Sequence, residues 1–277
     1  MNKKLIGKII TFILILGVLV FMLFPFAVMI STSLKTNAEV RIWPPTWIPE
    51  TINWENYKDV WSGTVNLKTA FKNSIIVSLA TMLLCTVMGC LGAYGVSRYK
   101  FKGKKAFMFL MIMTQMFSAV ILVAPMFQIV KSLGLLDTYI ALIVPNTAFA
   151  LPMTTWLLTG YFDGVSESLE EAAMIDGCSR VQAIRKVLLP VMAPGILTSG
   201  LFAFIAAWND LIFVQRFTTK TEMRTLTIAL VNYRGAFETY WNKTMAASVI
   251  SVIPVFILFL MVQKYLVKGL SSGAVKE

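Results

Sequence analysis

Residues 167–190 read Glu-Ser-Leu-Glu-Glu-Ala-Ala-Met-Ile-Asp-Gly-Cys-Ser-Arg-Val-Gln-Ala-Ile-Arg-Lys-Val-Leu-Leu-Pro. This charged segment lies between strongly apolar stretches and carries its own punctuation. Ser168 and Glu171 have capping-box spacing, in which a hydroxyl and a carboxylate each satisfy an orphan backbone N–H at a helix start. Glu170 and Glu171 then fall in the first turn, where the helix dipole favours negative charge. Gly177 offers a left-handed residue to end that helix. Ser179 and Gln182 repeat the capping-box spacing directly afterwards, and Pro190 stands where the next apolar run begins. The pattern predicts a short helix, a glycine turn and a second helix running into that apolar run. Ala172 and Ala173 leave almost no side chain on the first helix, so a partner can approach closely. An ordinary solvated loop helix also carries capping boxes, which are common. Two of them between oily runs suit a surface on which something soluble docks.

Composition supplies the setting. Of 277 residues, 57% are hydrophobic and 14% charged, too apolar for an ordinary soluble domain. Six stretches reach the roughly 20 residues that cross a bilayer core: about 9–30, 71–96, 106–130, 139–161, 187–213 and 245–267. The expected fold is therefore all-α, a single polytopic membrane domain over residues 1–277 with six transmembrane helices. The first run follows Lys3, Lys4 and Lys8 as a signal peptide would, but it is too long and lacks a small-residue cleavage site. An uncleaved span is expected. Those lysines, and Arg98, Lys100, Lys102, Lys104 and Lys105 in the second connection, place both segments in the cytoplasm. Lys264, Lys268 and Lys276 suit a cytoplasmic C-terminus, and the 162–186 loop between helices 4 and 5 falls on the same side. Lys58, Lys68, Arg216, Arg224 and Arg234 fall outside, where charge in longer loops weighs less.

The net charge of +11 does not indicate nucleic acid, because much of it flanks spans, where it meets anionic lipid. The absence of histidine removes imidazole metal sites and histidine proton relays. Cys85, Cys90 and Cys178 lack zinc-site spacing, so no metal site is expected.

Within the bilayer, small residues recur every fourth position: Cys85, Gly89 and Ala93, then Gly195, Ser199, Ala203 and Ala207. Such stripes let helices pack closely, within one subunit or between two. Pro125, Pro145, Pro152 and Pro254 interrupt spans. Pro145-Asn146-Thr147 places a break, an amide and a hydroxyl together, either as packing contacts or on a polar pathway; Gln115 and Gln128 carry the same two readings. Asp210 is the lone acidic residue in an expected span, so a functional role is its default reading, although its place near the span end also suits an interfacial carboxylate. Asn209 beside it can hydrogen-bond a polyhydroxylated ligand. Trp156 and Trp208 suit interfacial anchoring better than ligand stacking. In the first external loop, Trp43-Pro44-Pro45, Trp47-Ile48-Pro49, Trp54 and Trp61 favour stiff, extended backbone carrying aromatics.

Glu171-Ala172-Ala173, followed at fixed spacing by Gly177, Val187 and Leu189-Pro190, resembles the Glu-Ala-Ala loop of ABC importer permeases, with Val187 where the family usually has Ile. Trp208-Asn209-Asp210 and the tail Gly269-Leu270-Ser271-Ser272-Gly273-Ala274-Val275-Lys276 resemble the carbohydrate-uptake branch. The resemblance implies a permease subunit in a bacterial inner membrane that imports a sugar or oligosaccharide by alternating access. It implies as partners a second, homologous permease, two cytoplasmic ATPase subunits that use ATP and Mg, and an extracytoplasmic solute-binding protein. Glu170, Glu171, Ala172, Ala173, Asp176, Gly177, Leu189 and Pro190 would then form the ATPase-coupling site, and Gln115, Asn146, Thr147, Asn209 and Asp210 are candidate pathway residues. No cofactor or catalytic site is expected in the chain: Gly103-Lys104-Lys105 lacks the upstream glycine and hydroxyl residue of a phosphate loop. A non-sugar solute is the nearest alternative. An ion-coupled carrier would be expected to show paired intramembrane carboxylates, histidines or matching broken helices in an inverted repeat.

Overall fold

The computed structural model describes the backbone of residues 3–63, 65–233 and 238–274, and the side chains of 7–63, 65–233 and 238–264. The side chains of Lys3, Lys4, Arg234, Lys268 and Lys276, and those of the 269–276 tail, lie outside the described residues. Every regular element described is helical. The chain divides into two units: Met1–Lys68 with Ala229–Ile253, and Thr69–Ile228 with Pro254–Glu277.

The first unit starts with α1 (Lys3–Ser33), whose apolar run is continuous through Pro25. A 3-10 turn at Glu39–Arg41 and the short helix α2 (Glu55–Ser62) follow. Asn56 is the pin of this region. Its amide donates to the carbonyls of Ser33 and Lys35, each at 2.8 Å, and its Oδ1 accepts from Asn242 Nδ2 at 2.9 Å. Buried polar groups require such partners. The aromatic loop residues Trp43, Trp47 and Trp54 remain exposed.

The second unit carries all but the first two residues of α3 (Leu67–Arg98), then α4 (Lys104–Thr114), α5 (Ala119–Ser132), α6 (Tyr139–Asp163), α7 (Ser168–Ile175), α8 (Arg180–Ala183), a π-helical turn (Ile184–Leu188), α9 (Leu189–Val191), α10 (Ala193–Trp208), α11 (Ile212–Phe217) and the start of α12 (Leu226–Val231), whose last three residues belong to the first unit. The long α13 (Trp241–Ala274) passes from one unit's residues into the other's. Among the described residues, four helices are long and apolar enough to cross a membrane, and six crossings result if each of two bent pairs makes one.

Those bent pairs fall on two of the expected spans. The 106–130 stretch is α4 and α5 meeting at 93°, with Ser118 Oγ accepting from Val120 N–H at the restart. The 187–213 stretch bends by 76° at Met192, stops at Trp208 and restarts at Ile212 as α11. Hydropathy sees one apolar run in each case because it records composition, not direction. The expected break at Pro145 is absent: α6 continues through both prolines, and Asn146 Nδ2 donates to Leu142 O at 2.9 Å in the turn that Pro145 loosens.

Both small-residue stripes lie inside this subunit. Cys85 packs with Ala150 and Ala203, while Ala93, Ser199 and Ala207 are also buried. Tyr161 of α6 lies flat against Gly195 of α10, where an added Cβ would sit 2.7–2.8 Å from the ring Cδ atoms. Only a residue without a side chain admits that approach. Trp208 is buried, stacked on Phe204 with ring centroids 5.4 Å apart, and so is not an interfacial anchor.

Candidate functional site

The 162–186 loop folds as the capping signals require, with one exception. At the start of α7 the expected Ser168–Glu171 box does not form. The N-cap is Glu167, with no side-chain bond of its own, and Ser166 before it accepts from Ser168 N–H at 3.3 Å and pairs with the Ser168 hydroxyl at 2.7 Å. Glu170 and Glu171 still occupy the first turn. Gly177 ends the helix at φ +86°, a conformation that strains any residue with a Cβ. The second box forms in full: Ser179 Oγ accepts from Gln182 N–H, and Gln182 Oε1 accepts from Ser179 N–H at 2.8 Å.

The two faces of α7 differ in kind. Glu171, Ala172, Met174, Ile175, Asp176 and Gly177 are exposed, as is Val181 on α8. Ile175 is 86% exposed and Val181 73%, an uncovered apolar surface beside the carboxylates of Glu171 and Asp176. Glu170 and Ala173 point the other way and are buried. Leu189 is half-buried and Pro190 exposed in the turn leading to the Met192 bend.

Beneath α7 lies a charged base. Arg98, the last residue of α3, pairs with Glu170 at 2.5 Å, both side chains being 6% exposed. Tyr94 donates to the other Glu170 oxygen at 3.0 Å. Arg98 also donates to the carbonyls of Phe162 at 3.2 Å and Val165 at 2.9 Å, beside the end of α6. Ser97 Oγ donates to Asp163 at 2.6 Å. Ala93, Leu158, Phe162, Leu188 and Met192 pack around this base as one cluster. Sequence reasoning missed Arg98 and Tyr94, because a cation at a span end reads first as a topology signal. It also missed Ile175 and Val181, which lie in the polar loop but outside the motif.

Of the pathway candidates, the structure brings two together. Asn146 Nδ2 donates to Asp210 Oδ2 at 3.0 Å, and Asp210 Oδ1 accepts from Phe213 N–H at 3.2 Å as α11 begins. Asn209 beside them is exposed, whereas Thr147 is buried. Gln115 lies at the α4–α5 bend, where its amide donates to Phe149 O at 2.9 Å. There it lines a cleft of about 440 Å³ with Thr114, Phe117, Leu122, Met126 and Phe149. Among the described residues no group of three or more Cys, Asp or Glu is placed to hold a metal ion.

The family described as "Binding-protein-dependent transport system inner membrane component" matches residues 85–272. The sulfoquinovosyl glycerol transport system permease protein of Agrobacterium fabrum is 37% identical over 270 residues, 98% of this chain and 94% of its own length. A trehalose/maltose transport system permease protein of Thermococcus litoralis is 36% identical over 278 residues, 100% of this chain and 99% of its own. Among solved structures, a chain of a bacterial ABC transporter involved in the import of the acidic polysaccharide alginate superposes with a TM-score of 0.77 at 24% identity. That superposition covers 96% of this chain and 98% of the other.

Proposed function

Because the chain belongs to the binding-protein-dependent transport inner membrane components, as a carbohydrate-uptake permease of the ABC-importer type, we propose that it is the subunit through which two ATPase partners drive a sugar or oligosaccharide across a bacterial inner membrane. In this family ATPase activity resides in separate partner proteins. A second permease and an extracytoplasmic solute-binding protein complete the proposed complex. The N-terminus, the C-terminus and the 162–186 loop face the cytoplasm.

The outward face of α7 and α8 carries this reading. Glu171 and Asp176 offer carboxylates to a cation on the ATPase, Ala172 leaves room for close approach, and Ile175 and Val181 supply apolar area. Glu170 and Ala173 hold the module from within. ATP draws the ATPase subunits together and carries the module with them, and the Met192 bend converts that displacement into a change of α10 angle. Nucleotide must bind the inward- and outward-open states with different affinity for this to move anything.

Solute passes beside the α4–α5 bend. Backbone that leaves helical geometry at membrane depth is tolerated where protein buries it or water lines it. Gln115 and Ser118 are exposed at this bend. The exposed Asn209 amide suits sugar hydroxyls, and the similar permeases named for sulfoquinovosyl glycerol and trehalose/maltose support a glycosidic cargo.

The test is co-purification of co-expressed ATPase subunits with Glu171→Lys. Loss of most of the ATPase at unchanged permease level is expected, since reversing one partner of a desolvated charge pair costs about 2–5 kcal/mol or more. Full retention of the ATPase would remove this face from the docking surface.

A further inference from the structure

The module meets the transmembrane helices at two places of unlike stiffness. Toward α10 it passes through the π-helical turn Ile184–Leu188 and then a 76° bend. Toward α3 it is fastened by the Arg98–Glu170 pair, with Tyr94 on the second carboxylate oxygen. The ion pairs Arg41–Glu238 and Lys243–Asp59 are far more exposed. A pair as buried as Arg98–Glu170 adds little net stability over well-packed apolar residues, but it holds a specific geometry and resists losing either partner. Its anchorage is broad. The guanidinium spans Glu170 on α7, Ser97 on its own helix, and the carbonyls of Phe162 and Val165 that lead out of α6.

We infer that Arg98, Glu170 and Tyr94 form a transmission joint, a set of positioning residues that carries displacement of the docking module into α3. The inference rests on the docking reading above and adds a second route to it. The module drives the 32-residue α3 through a rigid polar clamp, while the bend at Met192 lets α10 change angle. Glu170 faces this joint and Glu171 faces the ATPase, so the two adjacent carboxylates divide transmission from docking.

The experiment uses the assembled complex in inverted membrane vesicles, with Cys85, Cys90 and Cys178 replaced by serine and a reporter cysteine at Lys72, exposed on α3 itself. The probe is Mg-ATP with orthovanadate. Two quantities are read: nucleotide trapped by the ATPase subunits, and the rate at which the reporter reacts with a thiol reagent. In the reference complex, trapping changes the labelling rate. Arg98→Met combined with Glu170→Leu removes both charges at similar volume, so no unpaired charge stays buried. The joint predicts that this double variant traps nucleotide while its reporter no longer responds. A reference-like labelling change in the assembled double variant overturns the inference.

If the double variant does not assemble, Glu170→Gln, which keeps the volume, is read in the same way. A reference-like response then overturns the inference, and a lost response with retained trapping supports it. Glu171→Lys serves as the separate arm. Normal ATPase association and trapping in Glu171→Lys defeats the docking reading. Lost association there, with a responsive Arg98–Glu170 double variant, defeats the joint alone.

Discussion

Gly195→Ala tests how the 162–186 loop is joined to the long helices, because Gly195 opens α10 three residues past the bend and touches α6 near its exit into that loop. The new methyl carbon would lie 2.8 Å from Tyr161 Cδ1, 2.7 Å from Cδ2 and closer still to Cγ. Carbon atoms prefer roughly 3.5–4.0 Å, so about an ångström of separation is missing at several atoms at once. The nearest atom is the root of the ring, not its mobile tip, so rotation about the ring axis gives no relief. Either Tyr161 leaves its rotamer or α10 moves away from α6, and overpacking of this kind costs about 1–3 kcal/mol. Unfolding of the purified chain in mixed micelles, followed by helicity against denaturing detergent, measures the loss. Tyr161→Leu in the Gly195→Ala background should recover part of it, leaving a coupling of roughly 0.5–3 kcal/mol between the two sites. Gly195→Ala within about 0.5 kcal/mol of the parent, or strict additivity with Tyr161→Leu, would refute the close α6–α10 contact.

Asp210→Ala removes both the acceptor that starts α11 and the partner of Asn146; a loss of about 0.5–2 kcal/mol, as for other helix caps, is expected in the same unfolding assay, with Asp210→Asn milder. Asp137, between α5 and α6, is pushed up by burial, but bonds from Lys220 N–H and from the Thr219 hydroxyl and N–H outweigh this and hold its carboxyl below the ordinary range. A lowered folded value means its stabilisation is full above the unfolded pKa of about 3.9 and disappears as pH falls through the folded one. The stability gap between the parent and Asp137→Asn should therefore narrow across that acid window, and a gap independent of pH would contradict it. Under the proposed orientation, single cysteines replacing Lys102 and Asn53 in a cysteine-free background should respectively resist and accept an impermeant thiol reagent in intact cells; strong labelling at 102 would invert the topology.

The module was legible because capping and left-handed turns are local chemistry, decided within four residues. Gly177 and the Ser179–Gln182 box stand where their spacing put them. The start of α7 slipped because Ser166 and Ser168 lie within one turn and both can cap, and local spacing does not say which carbonyl the chain presents first. The two bent spans were illegible for another reason. Both windows are apolar on average despite their polar and proline residues, and composition does not reveal that Gln115, at the α4–α5 bend, donates to Phe149 O, 34 residues away in sequence. Arg98 shows the same limit, since the acceptors that make it a buried clamp lie 64–72 residues away in sequence. The small-residue stripes were visible as stripes, but only the packing of Cys85 against Ala150 and Ala203 assigns them to the interior of one subunit.

The central claim is that the exposed face of α7 and α8 is where the ATPase docks. A photo-crosslinking residue at Ile175, 86% exposed on that face, tests it in membranes containing the co-expressed ATPase subunits. The account predicts a crosslink to the ATPase subunit that Glu171→Lys abolishes, and no such crosslink from the same probe at Trp43 in the first external loop. Efficient ATPase crosslinking from Trp43, or none from Ile175 in a complex that still hydrolyses ATP, would contradict it.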